Sequence, residues 1–209
     1  MSNVTTIFTQ PVVPLATLTS PTQADTLADG LVAGELPVVE VTLRHAYGLT
    51  AIERLAARGD LMVGAGTVRT AVEARQVIES GAQFIVTPGL DPEVVSVAQD
   101  VGVPIIPGVL TATEVLAARR LGVDHVKLFP ASSVDALAML DAYADVFPDV
   151  GFMPSAGMSA ANISEFLSRP AVFAVSGSWI ATAARDGAAA VTTSARAALR
   201  AAQSARAAM

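Results

Sequence analysis

Lys127 is the one lysine among the 13 lysine and arginine residues of this 209-residue chain. It sits in the run Asp124-His125-Val126-Lys127-Leu128-Phe129-Pro130, an apolar, strand-like segment instead of a polar helix face. Removing an amine from water penalises its charged form and exposes the nucleophilic lone pair. That is the condition a Schiff-base lysine needs. The alternative at this position is a lysine whose stem lies along apolar surface while its head reaches water from a strand end.

A second group of chemically able residues lies in Val39-Glu40-Val41-Thr42-Leu43-Arg44. Strand alternation puts Val39, Val41 and Leu43 on one face and Glu40, Thr42 and Arg44 on the other. If the apolar set packs under helices, a carboxylate, a hydroxyl and a guanidinium point inward. Buried charges cost several kcal/mol each unless paired. Such a row therefore implies either an internal Glu40–Arg44 structural pair or a working site. The same alternation puts Lys127 and Phe129 on the inner face with His125, so Glu40 and Lys127 are expected to share one interior. A carboxylate beside an amine in a dry interior suits imine chemistry: the amine attacks a ketone and the carboxylate moves the protons. His125, two residues deeper, is expected to be a hydrogen-bonded core histidine, and His45 a surface residue.

Further candidates stand where other strands end. Gly64-Ala65-Gly66-Thr67 offers a hydroxyl flanked by glycines, which suits close approach of a ligand, and Thr87-Pro88-Gly89 reads as a tight turn. Ser155-Ala156-Gly157 and Gly177-Ser178 follow the last two strands, where barrels often hold phosphate on backbone N–H groups.

The elements needed to bring these residues together are legible as alternation. Strands are expected at Val12–Leu18, Pro37–Leu43, Leu61–Thr67, Gln83–Thr87, Val103–Pro107, His125–Phe129, Gly151–Ser155 and Ala171–Ser176. Helical stretches lie between them, several ending at a glycine placed as a left-handed cap: Gly34, Gly59, Gly81, Gly102 and Gly122. Eight strands each followed by a helix predict a (β/α)8 TIM barrel, an α/β fold forming a single domain over residues 1–209 with a terminal helix from about 187. A doubly wound sheet is the runner-up, without a Gly-x-Gly-x-x-Gly after the first strand to favour it.

Composition narrows the partners. Hydrophobic residues make up 52% and charged residues 15%, as in a chain with a large core. A net charge of −6 argues against nucleic acid, while local arginines or helix N-termini can still hold a small anion. With no cysteine and two histidines, thiolate chemistry and disulfides are excluded and a histidine-rich metal cluster is not expected. The first 24 residues carry no charge, but Pro11, Pro14 and Pro21 interrupt any apolar span and no basic leader precedes them, so no membrane association and a cytoplasmic location are expected.

Taken jointly, Val39–Arg44, Val63-Gly64-Ala65-Gly66-Thr67-Val68, Thr87-Pro88-Gly89, Ile106-Pro107-Gly108, Val126–Ala131 and Gly177-Ser178-Trp179 resemble the 2-keto-3-deoxy-6-phosphogluconate / 4-hydroxy-2-oxoglutarate (KDPG/KHG) aldolases. The resemblance runs in order from about Pro11 to Ile180. It implies a class I aldolase that releases pyruvate and glyceraldehyde 3-phosphate, with Lys127 as Schiff-base lysine and Glu40 as general acid/base. It places Arg44, Thr67, Pro88, Phe129 and Ser155 around the pyruvate moiety, and Gly157, Gly177 and Ser178 on the phosphate. It further implies no metal or organic cofactor, a phosphorylated 2-keto-3-deoxy sugar acid as substrate, and a homotrimer. Two departures touch the distal end of the substrate. Ser155-Ala156-Gly157 stands where the family usually has Thr-Gly-Gly, so an altered backbone is expected at Ala156. Ala16-Thr17-Leu18 stands where many members carry a basic residue. A galactonate-derived isomer and 4-hydroxy-2-oxoglutarate stay open as substrates. So do two readings without an imine, a sugar-phosphate isomerase and a barrel that only binds a phosphorylated metabolite.

Overall fold

The computed structural model describes residues 7–207, and its strands pair in parallel throughout. One sheet runs in the order β5 (Ile105–Ile106), β4 (Phe84–Val86), β3 (Met62–Gly66), β2 (Val38–Thr42), β1 (Val12–Ala16) and β9 (Val175–Gly177). A second is built from β6 (Gly108–Val109), β7 (His125–Leu128) and β8 (Gly151–Pro154). Pro107 separates β5 from β6. Lacking an N–H it cannot donate to the ladder, although its carbonyl still accepts from Lys127 N at 2.8 Å. The two pieces form one stave, and bridges from Phe152 to Val172 and from Ser155 to Ser176 join β8 to β9. The sheet thus closes as an eight-staved (β/α)8 barrel, and the doubly wound alternative, which needs an open edge, is set aside.

The helices that clad it are α1 (Pro21–Ala33), α2 (Gly48–Ala56), α3 (Ala71–Glu79), α4 (Pro92–Asp100), α5 (Ala112–Arg120), α6 (Ala136–Val146), α7 (Ile163–Leu167), α8 (Trp179–Thr182) and α9 (Ala188–Ala207). Ser20, Thr70, Asp91, Thr111 and Asp135 each cap a helix N-terminus with a side-chain oxygen. Such caps stabilise by about 1 kcal/mol apiece. Thr111 and Glu114 complete a reciprocal capping box. The N–H groups of Leu110 and Thr111 hold the Glu114 carboxyl below its ordinary range.

Four of the five expected glycine caps are left-handed: Gly59, Gly81, Gly102 and Gly122. Gly34 is not, with φ −83°; Glu35 takes the positive φ, at 63°. Gly34 is small for another reason. A Cβ there would lie 2.7 Å from that of Ala195, so glycine lets α9 close on α1. The buried face of α9 is Val191, Ala195, Ala198, Ala202 and Ala205, narrow enough for that approach. The expected terminal helix is thus present over Ala188–Ala207, and residues 208–209 lie outside the described part of the chain.

The barrel floor is closed by an aromatic stack. His125 lies 4.2 Å from Phe8 and edge-on to Phe173 at 4.9 Å, between ring centroids. It is hydrogen-bonded as expected, Nδ1 to Asp124 Oδ1 at 2.7 Å, but its side chain is 28% exposed. It is a floor residue instead of a core one, because the first residue of β7 carries it.

Candidate active site

Glu40 is completely buried at the centre of β2 and held from two other staves. Its Oε2 accepts a hydrogen bond from Ser176 Oγ of β9 at 3.0 Å, and its Oε1 faces Lys127 Nζ of β7 at 3.4 Å. A carboxylate stripped of water needs such partners, since each unmet hydrogen bond to a charged group costs a few kcal/mol. Gly66 on the neighbouring strand makes the space: a Cβ there would collide with the carboxylate. Gly64 likewise yields to the Phe84 ring. These two glycines therefore serve packing inside the barrel, a correction to the expectation that they admit a ligand. Thr42, also fully buried, meets Thr17 across the β1–β2 seam, with hydroxyl oxygens 2.9 Å apart.

Lys127 is 5% exposed. Its distance to Glu40 exceeds the 2.7–2.9 Å of a tight charge-assisted bond, so the amine is near the carboxylate without being locked to it. Its Nζ also lies 5.2 Å above the centroid of the Phe129 ring, within the range of a cation–π contact. An amine so placed, at the bottom of a pocket and next to a proton carrier, has the parts for imine formation.

The pocket opens at the C-terminal ends of the strands and has a volume of about 450 Å³. Lys127, Arg44, Thr67, Pro88, Phe129, Ser155, Gly157, Gly177 and Ser178 all line it, while Glu40 lies beneath, joined to it through Lys127. Arg44 does not belong to the inner face of β2. The strand ends at Thr42, and Arg44 sits exposed in the following turn, at the pocket mouth. Among the described residues it has no hydrogen-bond or ion-pair partner, so the Glu40–Arg44 structural pair does not form. His45 is exposed, as expected, and its Nδ1 accepts from Tyr47 N at 3.1 Å.

The lining has a marked charge character. It carries three cations, Arg44, Lys127 and Arg185, and no carboxylate, in a chain of net charge −6. Such a surface collects anions. Two non-glycine residues on its rim are left-handed, Thr67 at φ 61° and Ala156 at φ 75°. For an L-residue this conformation costs roughly 1–2 kcal/mol, and its presence at a site is a reason to look for function there. Alanine disfavours a positive φ, yet Ala156 adopts one. Ala156 and Gly157 (φ 82°) are both left-handed, and Asn162 Nδ2 pins the loop by donating to Gly157 O at 2.9 Å.

Some residues at the site are not among the sequence candidates. Ser176, bonded to Glu40 beneath the pocket, is one of them, and a hydroxyl in a buried strand is the signal that marks it. Gln23 and Arg185 gave no signal, because only the fold brings them to the pocket, whereas Thr17 lies in the Ala16–Leu18 segment that the resemblance sets at the distal end.

A profile of the KDPG and KHG aldolases matches residues 4–193. The chain belongs to the KDPG and KHG aldolase family. One relative in it is a 2-dehydro-3-deoxy-phosphogluconate aldolase of Pseudomonas aeruginosa, 41% identical over 170 residues, which cover 81% of this chain and 77% of that one. The 2-keto-3-deoxy-6-phosphogluconate aldolase of Zymomonas mobilis, solved with 3-phosphoglycerate, superposes with a TM-score of 0.87 at 35% identity, over 91% of each chain. A family member from Legionella pneumophila, solved with pyruvate captured as a covalent carbinolamine intermediate, does so with a TM-score of 0.86 at 35% identity, covering 91% of this chain and 95% of that one. As a KDPG and KHG aldolase family member the chain is a carbon–carbon lyase.

Proposed function

We propose that this protein is a class I aldolase that cleaves 2-keto-3-deoxy-6-phosphogluconate to pyruvate and glyceraldehyde 3-phosphate. The observation that carries the proposal is the buried Lys127–Glu40 pair beneath a cation-lined pocket. The Lys127 amine adds to the C2 ketone, and loss of water from the carbinolamine gives a protonated imine. Glu40 takes the proton of the C4 hydroxyl as the C3–C4 bond breaks, and the electron pair of that bond moves toward the imine nitrogen as an enamine. The aldehyde leaves, the enamine is protonated at C3, and water releases pyruvate and restores the amine.

The other residues take supporting roles. Ser176 positions Glu40 through the 3.0 Å bond. Arg44 binds the substrate carboxylate, for which a planar fork of N–H donors is suited. Thr67, Pro88, Phe129 and Ser155 surround the pyruvyl group, and Gly157, Gly177 and Ser178 receive the phosphate. 4-Hydroxy-2-oxoglutarate, whose second end is also an anion, is a further substrate in this reading. Assembly as a homotrimer rests on the family resemblance, and a cytoplasmic location belongs to the same reading; no helix among the described residues is long and apolar enough to cross a membrane.

The test is borohydride reduction in the presence of pyruvate, followed by peptide mass spectrometry. Lys127 carries the chain's only side-chain amine, so a reduced adduct is readily assigned. An adduct on the Lys127 peptide is expected. Its absence from folded protein would sink the imine mechanism and favour an isomerase or a binding barrel.

A further inference from the structure

In the proposed complex the substrate carries an anion at each end, and only one end has been given a cation. Gly157, Gly177 and Ser178 offer the phosphate neutral donors alone. The chain beyond Ser178 makes the short helix α8 and then a 3₁₀ turn, Ala183–Asp186, that returns to the pocket and sets Arg185 in its wall. Arg185 is exposed and has no hydrogen-bond or ion-pair partner among the described residues, its neighbour Asp186 included. By contrast Arg54, Arg58, Arg69, Arg119 and Arg169 are each paired with a carboxylate.

Gln23 reaches the same pocket from the first turn of α1, the helix against which the Arg185 turn packs. Its Oε1 accepts from Thr19 N at 3.0 Å and from Thr19 Oγ1 at 3.1 Å. A backbone N–H can only donate, so the amide orientation is fixed by chemistry. The Nε2 donor is left without a partner among the described residues.

We propose that Arg185 and the Gln23 amide bind the distal phosphate of the substrate, and that Arg185 sets the preference for phosphorylated over unphosphorylated 2-keto-3-deoxy acids. The inference rests on the aldolase reading and adds a charged subsite to it. A guanidinium meets phosphate through paired N–H donors that a neutral loop lacks.

The experiment compares kcat/KM for 2-keto-3-deoxy-6-phosphogluconate and 2-keto-3-deoxygluconate in the parent protein, Arg185→Ala, Arg185→Lys and Gln23→Glu. Removing one charge-assisted contact to phosphate is expected to lower the phosphorylated-to-unphosphorylated ratio about tenfold or more, through KM more than kcat. Arg185→Lys recovers part of the ratio. Gln23→Glu keeps an acceptor for Thr19, sets an anion beside the phosphate and lowers the ratio as well. Inorganic phosphate, as a competitive inhibitor, weakens in Arg185→Ala by a similar factor, and this constant decides if the unphosphorylated acid turns over too slowly to score. A ratio and phosphate inhibition both within twofold of the parent in Arg185→Ala overturn the subsite. Borohydride trapping of pyruvate on the parent protein separates the two failures: with an adduct only the subsite falls, and without one the aldolase reading falls first.

Discussion

Two hollows among the described residues differ in what their arginines are doing. A cleft of about 740 Å³ between α1 and α2 is lined by Asp25, Asp29, Thr50, Glu53, Arg54, Ala57 and Arg58. The barrel-mouth pocket, of about 450 Å³, is the more enclosed of the two. The arginines of the α1–α2 cleft are already engaged. Arg54 grips both oxygens of Asp25 at 2.8 and 2.7 Å, and Arg58 meets Asp29 at 2.8 Å and Asp60 at 3.0 Å. The Arg54 bond pulls the Asp25 carboxyl below its ordinary range, and bonds to Asp60 and Asp29 push Arg58 further up. At the barrel mouth Arg44 and Arg185 have no partners among the described residues. Volume says where a ligand could fit; unmet donors say where one is needed.

Substitutions can break this contrast from the strong side first. Lys127→Ala should abolish aldol cleavage and the trapped pyruvate adduct while thermal unfolding stays cooperative; residual cleavage at the parent rate would refute the imine assignment. Glu40→Gln should still trap pyruvate slowly but lose kcat by ~10²-fold or more, measured by coupling pyruvate release to its reduction. Ser176→Ala takes away one of the two bonds to Glu40. It should lower stability by about 1–3 kcal/mol in a denaturant melt and reduce kcat by roughly tenfold. Unchanged kcat there would mean that Lys127 and packing suffice to place the carboxylate.

The weak side of the contrast predicts almost nothing for activity. Arg54→Ala should leave kcat/KM unaltered, and its small loss of stability should depend on pH. Asp25 has its carboxyl lowered from 3.8 by Arg54, so that stabilisation is fully present above pH 3.8 and fades as pH falls through the lower folded value. Melting temperatures of variant and parent should therefore differ at pH 6 and converge in stronger acid. A catalytic defect in Arg54→Ala would mean that the two hollows communicate.

The sequence revealed what alternation and rarity can encode. A lone lysine in an apolar strand and a glutamate two residues before a threonine on the inner face of β2 were enough to place Lys127 and Glu40 in one interior. The eight staves followed from counting. What escaped depended on packing between distant segments. Pro107 splits a stave without opening the barrel, because the flanking carbonyls keep pairing across it. Gly34 is the C-cap of α1 without the left-handed turn expected of it, and it is also the contact point for α9. Arg44 seemed to continue the inward row of β2, but a strand's length is set by its neighbours, and β2 pairs with β3 only as far as Thr42 and Gly66. Arg185 lies 58 residues beyond Lys127 in number, and no local pattern ties the two.

Trp179, the single tryptophan, begins α8 directly after Ser178 and packs its ring where a side chain on Gly177 would otherwise stand. Its indole N–H is buried with no acceptor among the described residues. The molecule thus carries its own optical probe at the Gly177–Ser178 end of the pocket, with no other indole to dilute the emission. Filling that loop with an anion alters the field around the ring, so a fluorescence titration can report occupancy there independently of turnover at Lys127.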